Sequence, residues 1–255
     1  MTVHRLFEKA PRNQGISLPG RAVTLSGQIV AEIRDALFEG RLKPGDHLGG
    51  EKDIAAQGGV SRIVARDALR TLEALGIVEI KVGAGGGARI AQGDPRRFAE
   101  ALAVQLELAG IEVVEIMDAQ RAVETLAAEL AAEFATAADF ARLKALNEEA
   151  ARLLDDVPAF TKNGAAFHLA VAEASHNRVL AIQLQSLQHV SWPRSNPTLN
   201  RAVAAHVLEA HRELARLIQI RDPAGARRLM DEHVKMIRAR RIAERDAKPS
   251  FDACC

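Results

Sequence analysis

Residues 60–91 read VSRIVARDALRTLEALGIVEIKVGAGGGARIA, and this stretch decides the fold of the N-terminal third. Ser61 stands where a helix needs its N-cap, and Gly76 stands just past the helix end. Between them Ala65, Ala68, Leu69 and Leu72 form one apolar stripe at helical spacing. Arg62, Arg66 and Arg70 recur every four residues beside that stripe. At about 100° per residue they stay within an arc of about 80°. IVEIKV then alternates as a short strand, GAGGG turns the chain, and ARIA is a returning strand.

The residues just upstream complete the same unit. LSGQIVAEIRDALFEG carries Ile29, Val30, Ile33, Ala36 and Leu37 at helical spacing and ends on Gly40. RLKPGDHL follows with a turn at Pro44-Gly45, then EKDIAAQ as a short amphipathic helix that Gly58-Gly59 ends. Helix, short helix, glycine turn, longer helix and β-hairpin is the order of a winged helix-turn-helix. In that fold the second helix of the pair enters the major groove, and its first turns reach base edges. Arginine's planar fork suits guanine edges or phosphate. Ser61 is placed both to cap the helix and to touch phosphate, and the glycines around Gly85 allow backbone to approach a groove. Taken singly, three arginines on one face are a solvated face and glycines in a hairpin are a turn. Their ordered combination points to DNA. Residues 1–94 hold 13 Lys and Arg against 11 Asp and Glu, so bulk charge adds little to the argument.

From Pro95 to Asp246 the pattern is helical almost throughout. Seven segments are expected, at 95–108, 111–135, 137–155, 157–176, 178–191, 200–221 and 223–244. Asp222-Pro223 is a clean start, a capping residue followed by proline at the first helical position. The expected organisation is an N-terminal arm at 1–22, a DNA-binding domain at 23–93, an all-helical domain at 95–246 and a tail at 247–255. The arm carries Arg5, Lys9, Arg12 and Arg21, which suits either a loose tail or a minor-groove contact. The fold class is mainly α: a winged helix-turn-helix with a small β-hairpin wing, then an all-α helical bundle.

Composition excludes several classes. Apolar residues at 48% and charged residues at 26% exclude wholesale disorder. The net charge of +1 names no partner. Aromatics at 4%, with no Tyr, argue against a stacking surface for single strands. The two cysteines are Cys254 and Cys255, which excludes a disulfide framework and makes a reducing compartment the expectation. No apolar run reaches the roughly 18 residues of a membrane span. MTVHRLFEKAPRNQG lacks an apolar signal core, so a cytoplasmic location with no membrane partner is expected.

LKPGDHL, EKDIA and the 60–91 stretch together resemble the DNA-binding domain of GntR-type bacterial transcription regulators. The family pattern is a PG turn, E-x-x-[LI]-A, a VSR start, R-[ED]-AL-x-x-L, EG[LIV]V and a glycine-bearing wing. The resemblance implies DNA contacts at Lys52, Ser61, Arg62 and Arg66 and at the wing around Gly85, with Arg70 joining them on the arginine face. Ile63-Val64 stands where the family has Thr-Pro, and Asp67 where it usually has Glu.

The helical part resembles the family's FCD class. RAVETLAAELAA, FHLAVAEASHN and EAHRELARLIQIRDPAGARRLMDEHV resemble its R-x-x-x-E, FH…S-x-N and EH…D-x-x-x-A…M-x-x-H patterns. Such domains bind a small carboxylate, many of them through a metal held by three His and an Asp four residues before the first. The matching positions are His168, His211 and His233, separated by 43 and 22 residues. The resemblance therefore implies one divalent transition metal per chain, zinc or nickel. Gly164 occupies the Asp position, and the alternative is that the histidines are core or surface residues without metal. Arg121 falls at the family's effector-binding Arg; its other reading is an i,i+3 pair with Glu124. Asn177 is expected to cap a helix or to bond the effector.

The expected protein is a homodimeric, ligand-responsive DNA-binding regulator, a repressor of a pseudo-palindromic operator, sensing a small organic or sugar acid. It is not expected to be an enzyme. Two alternatives stand beside it. A metal-dependent hydrolase needs a base beside the metal, and no HExxH-type motif supplies one. An architectural DNA binder would use the helical bundle only to dimerise and would have no effector.

Overall fold

The structure is a computed structural model that describes residues 24–81, 83, 86–191 and 199–246. The expected arm and tail, and Gly85 of the wing, lie outside the described residues. The chain divides into two compact units, residues 1–94 and 95–255.

Among its described residues the first unit has three helices and a small sheet. Helix α1 (Leu25–Phe38) begins where the Thr24 hydroxyl accepts from the Gly27 amide. Strand β1 (His47–Gly49) leads into α2 (Glu51–Gly58), whose start is fixed by the Asp53 carboxylate accepting from the Gly50 amide at 2.8 Å. Helix α3 (Arg62–Ala74) is capped by Ser61, whose Oγ accepts from the Val64 amide. Strands β2 (Val78–Lys81) and β3 (Gly87–Ile90) form the antiparallel wing, pairing Val78 with Ile90 and Lys81 with Gly87. The predicted stripe Ala65, Ala68, Leu69 and Leu72 is buried, against Ile29, Ile33 and Ala36 of α1.

One element differs from expectation. The residues after Pro44-Gly45 were expected only to turn, but His47–Gly49 add a third strand, so the sheet order is β1-β3-β2. Glycine permits this approach. Gly87 has φ +126, and a Cβ there would come within 3.0 Å of the Gly49 carbonyl group and 2.9 Å of His47 Nε2.

The second unit contains seven helices among the described residues: α4 (Pro95–Leu108), α5 (Val113–Phe134), α6 (Ala137–Arg152), α7 (Val157–Ala174), α8 (Arg178–Ser191), α9 (Arg201–Gln219) and α10 (Pro223–Asp246). Each coincides with an expected segment to within a few residues. The starts carry their caps: Thr136 and Asp139 bond reciprocally at α6, Asn200 caps α9, and Asp222 Oδ1 accepts from the Gly225 amide at α10. Ala128, Ala131 and Ala132 of α5 and Ala170 and Ala174 of α7 are buried. These small side chains let the helices pack closely around Phe167, Leu214, Ile218 and Met230. Arg221, in the left-handed region at φ +62, turns its guanidinium back to the carbonyls of Ala132 and Ala135 and closes the end of α5.

Candidate DNA interface and metal centre

On α3 the three arginines are exposed, as is Lys52 on α2. They share one electrostatic neighbourhood. Arg66 makes a two-pronged ion pair with Glu51, at 2.7 and 2.8 Å. Glu51 is held below the usual carboxylate range by Arg66 first, with Arg70 and Arg62 adding to the effect. The pair ties α2 to α3 and holds the Arg66 guanidinium in place. Ile63, in the first turn of α3, is 77% exposed, an apolar side chain on the same end of the helix.

In the second unit, α7, α9 and α10 bring His168, His211 and His233 together. All three are buried, and one ring nitrogen from each lies within 4.8 Å of the others. His211 Nε2 and His233 Nε2 are 3.1 Å apart. Phe167 stacks on the His211 ring at 4.1 Å and 10°, which fixes its orientation. His168 Nδ1 is bonded to Glu124 Oε2 at 2.5 Å, and Glu124 Oε1 accepts from Gln120 Nε2 at 2.6 Å. Burial, followed by the other two histidines, pushes His211 well below its ordinary value. Burial also pushes His233 down to about 3, with His168, His206 and Arg240 adding to it.

These residues fit a divalent transition metal. Two nitrogens at about 2.0–2.1 Å from one ion stand roughly 2.8–3.4 Å apart across octahedral to tetrahedral angles, a range that includes the His211–His233 spacing. The depressed values keep His211 and His233 neutral near pH 7, the form that ligates. Glu124 engages one nitrogen of His168 and leaves the other for the ion, a carboxylate–histidine arrangement common around metals. His233 Nδ1 is buried without a partner, so only its Nε2 is engaged. At Gly164 a Cβ would meet only His211 Cε1, at 4.0 Å, so the face where the family places its Asp is open.

A cavity of about 80 Å³ adjoins the histidines. His168, His211, Gln120, Glu124 and Gly164 line it, with Arg240 and Arg241 of α10. The two expected effector contacts lie elsewhere. Arg121 pairs with Asp231 at 2.5 Å, not with Glu124, and does not line the cavity. The reason is helical register. Glu124 stands four residues after Gln120 and three after Arg121, so the R-x-x-x-E spacing places Gln120 on the cavity face and turns Arg121 about 100° away. Asn177 caps α8, its Oδ1 accepting from the amides of Val179 and Leu180, and it too is outside the cavity. Sequence reasoning missed Gln120, Glu124, Arg240 and Arg241 as lining residues; the four-residue spacing could have found the first two.

The family model for bacterial regulatory proteins, gntR family, matches residues 25–87, and the FCD domain model matches 115–236. The HTH-type transcriptional regulator LutR of Bacillus subtilis is 30% identical over 200 residues, covering 78% of this chain and 83% of that protein. The chain belongs to the GntR family of bacterial regulators and carries an FCD domain. The Uxu operon transcriptional regulator of Escherichia coli is 29% identical over 224 residues, covering 84% of this chain and 85% of that one. A solved GntR structure from Streptococcus agalactiae superposes with TM-score 0.56 at 22% identity, over 84% of this chain and 99% of that one, and shares the fold. Members are DNA-binding transcription regulators with an effector-binding domain, not enzymes, so the hydrolase alternative falls. No helix among the described residues is long and apolar enough to cross a membrane.

Proposed function

We propose that this GntR regulator is a homodimeric repressor in the cytoplasm that binds a pseudo-palindromic operator and responds to a small organic or sugar acid bound beside a zinc or nickel ion. The metal reading is carried by one observation, the convergence of three buried imidazoles, two of which, His168 and His211, line a cavity. Family membership supplies DNA binding. Arg62 and Arg70 read base edges or phosphate, Lys52 and Ser61 touch phosphate, and Arg66 holds its fork in register through Glu51. The wing around Gly85 touches the adjoining groove. A two-fold dimer demands paired half-sites.

Bound metal supplies a Lewis-acidic point for an oxygen donor, and His168, His211 and His233 would hold it. The chain's own residues do the rest: Glu124 orients His168 and Phe167 orients His211. The acid shifts the dimer between states of different operator affinity, which requires that it bind one state better.

The reading is tested by selecting preferred sites from random duplex DNA with the purified protein, then titrating the selected site. The expected site has two-fold symmetry, and Arg62→Ala and Arg70→Ala each weaken it roughly tenfold to hundredfold. An asymmetric site, or variants that bind as the parent does, contradicts the DNA assignment. Operator affinity that no carboxylate changes favours the architectural alternative.

A further inference from the structure

Val64, Leu69 and Leu72 of α3 pack into the core of the first unit, but Ile63 is 77% exposed. At about 100° per residue, Ile63 stands almost diametrically opposite the mean direction of the buried Ala65, Ala68, Leu69 and Leu72. It therefore occupies the outermost point of the first helical turn, whose start is set by the Ser61 cap. Helix propensity gives no reason for isoleucine there, since a β-branched residue is a poorer helix former than the long polar residues usual on an exposed face. The neighbours divide by chemistry. Arg62, Arg66 and Arg70 form a cationic edge on one side of Ile63, and the exposed Asp67 stands one turn along on the other. A phosphate is repelled by Asp67 and gains nothing from Ile63, so this edge of the helix suits bases and not backbone.

We propose that Ile63 reads the 5-methyl group of a thymine in each half-site of the operator, and so sets specificity at a base pair that no arginine reads. This rests on the reading of α3 as the helix that enters the major groove of a two-fold site. The thymine methyl is the apolar group by which a base pair is told apart in that groove. In a helix β-branching confines isoleucine almost wholly to one χ1 rotamer, so its methyl groups are presented to the base with little further ordering. Ile63 stands where the family pattern has Thr. A hydrogen bond open to that hydroxyl is exchanged here for an apolar contact, which sets this chain's operator apart at one base pair.

The test uses the full-length protein and the duplex it selects from random DNA. Each thymine of the half-site is replaced in turn by uracil, in both half-sites at once, which removes the methyl and keeps every hydrogen-bonding group. At one position uracil is expected to weaken the parent by about fourfold for each methyl lost, about tenfold or more for the symmetric pair. Ile63→Ala should bind the thymine and uracil duplexes equally, with about the affinity the parent has for uracil. Alanine is the better helix former and the site is exposed, so this variant keeps its fold, which thermal melting verifies. The uracil series on the parent needs no variant at all. A half-site without thymine, or one that accepts uracil at every position, overturns the methyl contact. So does an Ile63→Ala variant that prefers thymine as strongly as the parent, or one that loses affinity for both duplexes alike. If Arg62→Ala and Arg70→Ala also bind as the parent does, α3 is not the reading helix, and the groove assignment fails together with the methyl contact. If they weaken binding while uracil is tolerated everywhere, the methyl contact alone is overturned.

Discussion

At the residue scale the histidine cluster makes a measurable demand on pH. Unfolded, His211 and His233 take up protons near pH 6.5; folded, burial holds His211 well below that and His233 at about 3. Between those values the unfolded chain binds protons that the folded chain refuses. Metal-free protein should therefore lose stability as pH falls from about 6.5, by up to about 1.4 kcal/mol per pH unit for each histidine. Urea unfolding between pH 7.5 and 5 measures this before ordinary carboxylates titrate. His233→Gln should flatten the slope, and a parent whose stability is level over that range would contradict the burial argument. Gly164 makes the converse demand. Its open face accepts an Asp side chain within reach of the cluster, so Gly164→Asp should raise zinc affinity by roughly tenfold or more in competition with a chelator. An unchanged affinity would show that this face does not look onto the ion. His168, His211 and His233 were legible through motif and spacing. Arg240 and Arg241 were not: α10 also carries Arg227, Arg228 and Arg238, and nothing local to the sequence says which guanidinium turns to the cavity.

At the scale of elements, helix boundaries were the most legible feature, because capping chemistry is local. Asp222-Pro223 announced α10, and Asp222 indeed accepts from the Gly225 amide. Asp222→Ala should cost about 1 kcal/mol, a lower midpoint in thermal unfolding with the helix content unchanged; an unaltered midpoint would mean that the cap contributes nothing. Strand β1 was illegible for the opposite reason. Three residues carry no periodicity, and their partners in β3 lie some forty residues away, so the strand exists only once the wing has folded. Register on α5 was equally hard to read, and it places Arg121 against Asp231. One residue of register on α5 is a rotation of about 100°, enough to exchange a cavity for an ion pair with Asp231. The α2–α3 ion pair was equally invisible, since Glu51 and Arg66 are fifteen residues apart. Arg66→Ala should leave thermal stability unchanged within error, because the pair is exposed, while weakening operator binding and its dependence on salt. A variant with reduced stability and normal operator affinity would reverse that assignment.

At the scale of the whole molecule, a DNA-reading unit and a helical sensing unit are joined in one chain, and each has its own core. The order of elements made both units readable in the sequence. The chemistry of the second unit is carried by what converges from α5, α7, α9 and α10, which no single stretch displays. The reading of that unit as a metal-dependent sensor turns on whether three buried imidazoles hold an ion although Gly164 offers no carboxylate. Elemental analysis of the full-length protein, purified without chelator and then equilibrated with zinc or nickel, decides it when run beside His211→Ala. About one ion per chain in the parent, lost in the variant, is the predicted result. A parent that stays metal-free after equilibration, or a variant that keeps its metal, would contradict the metal centre.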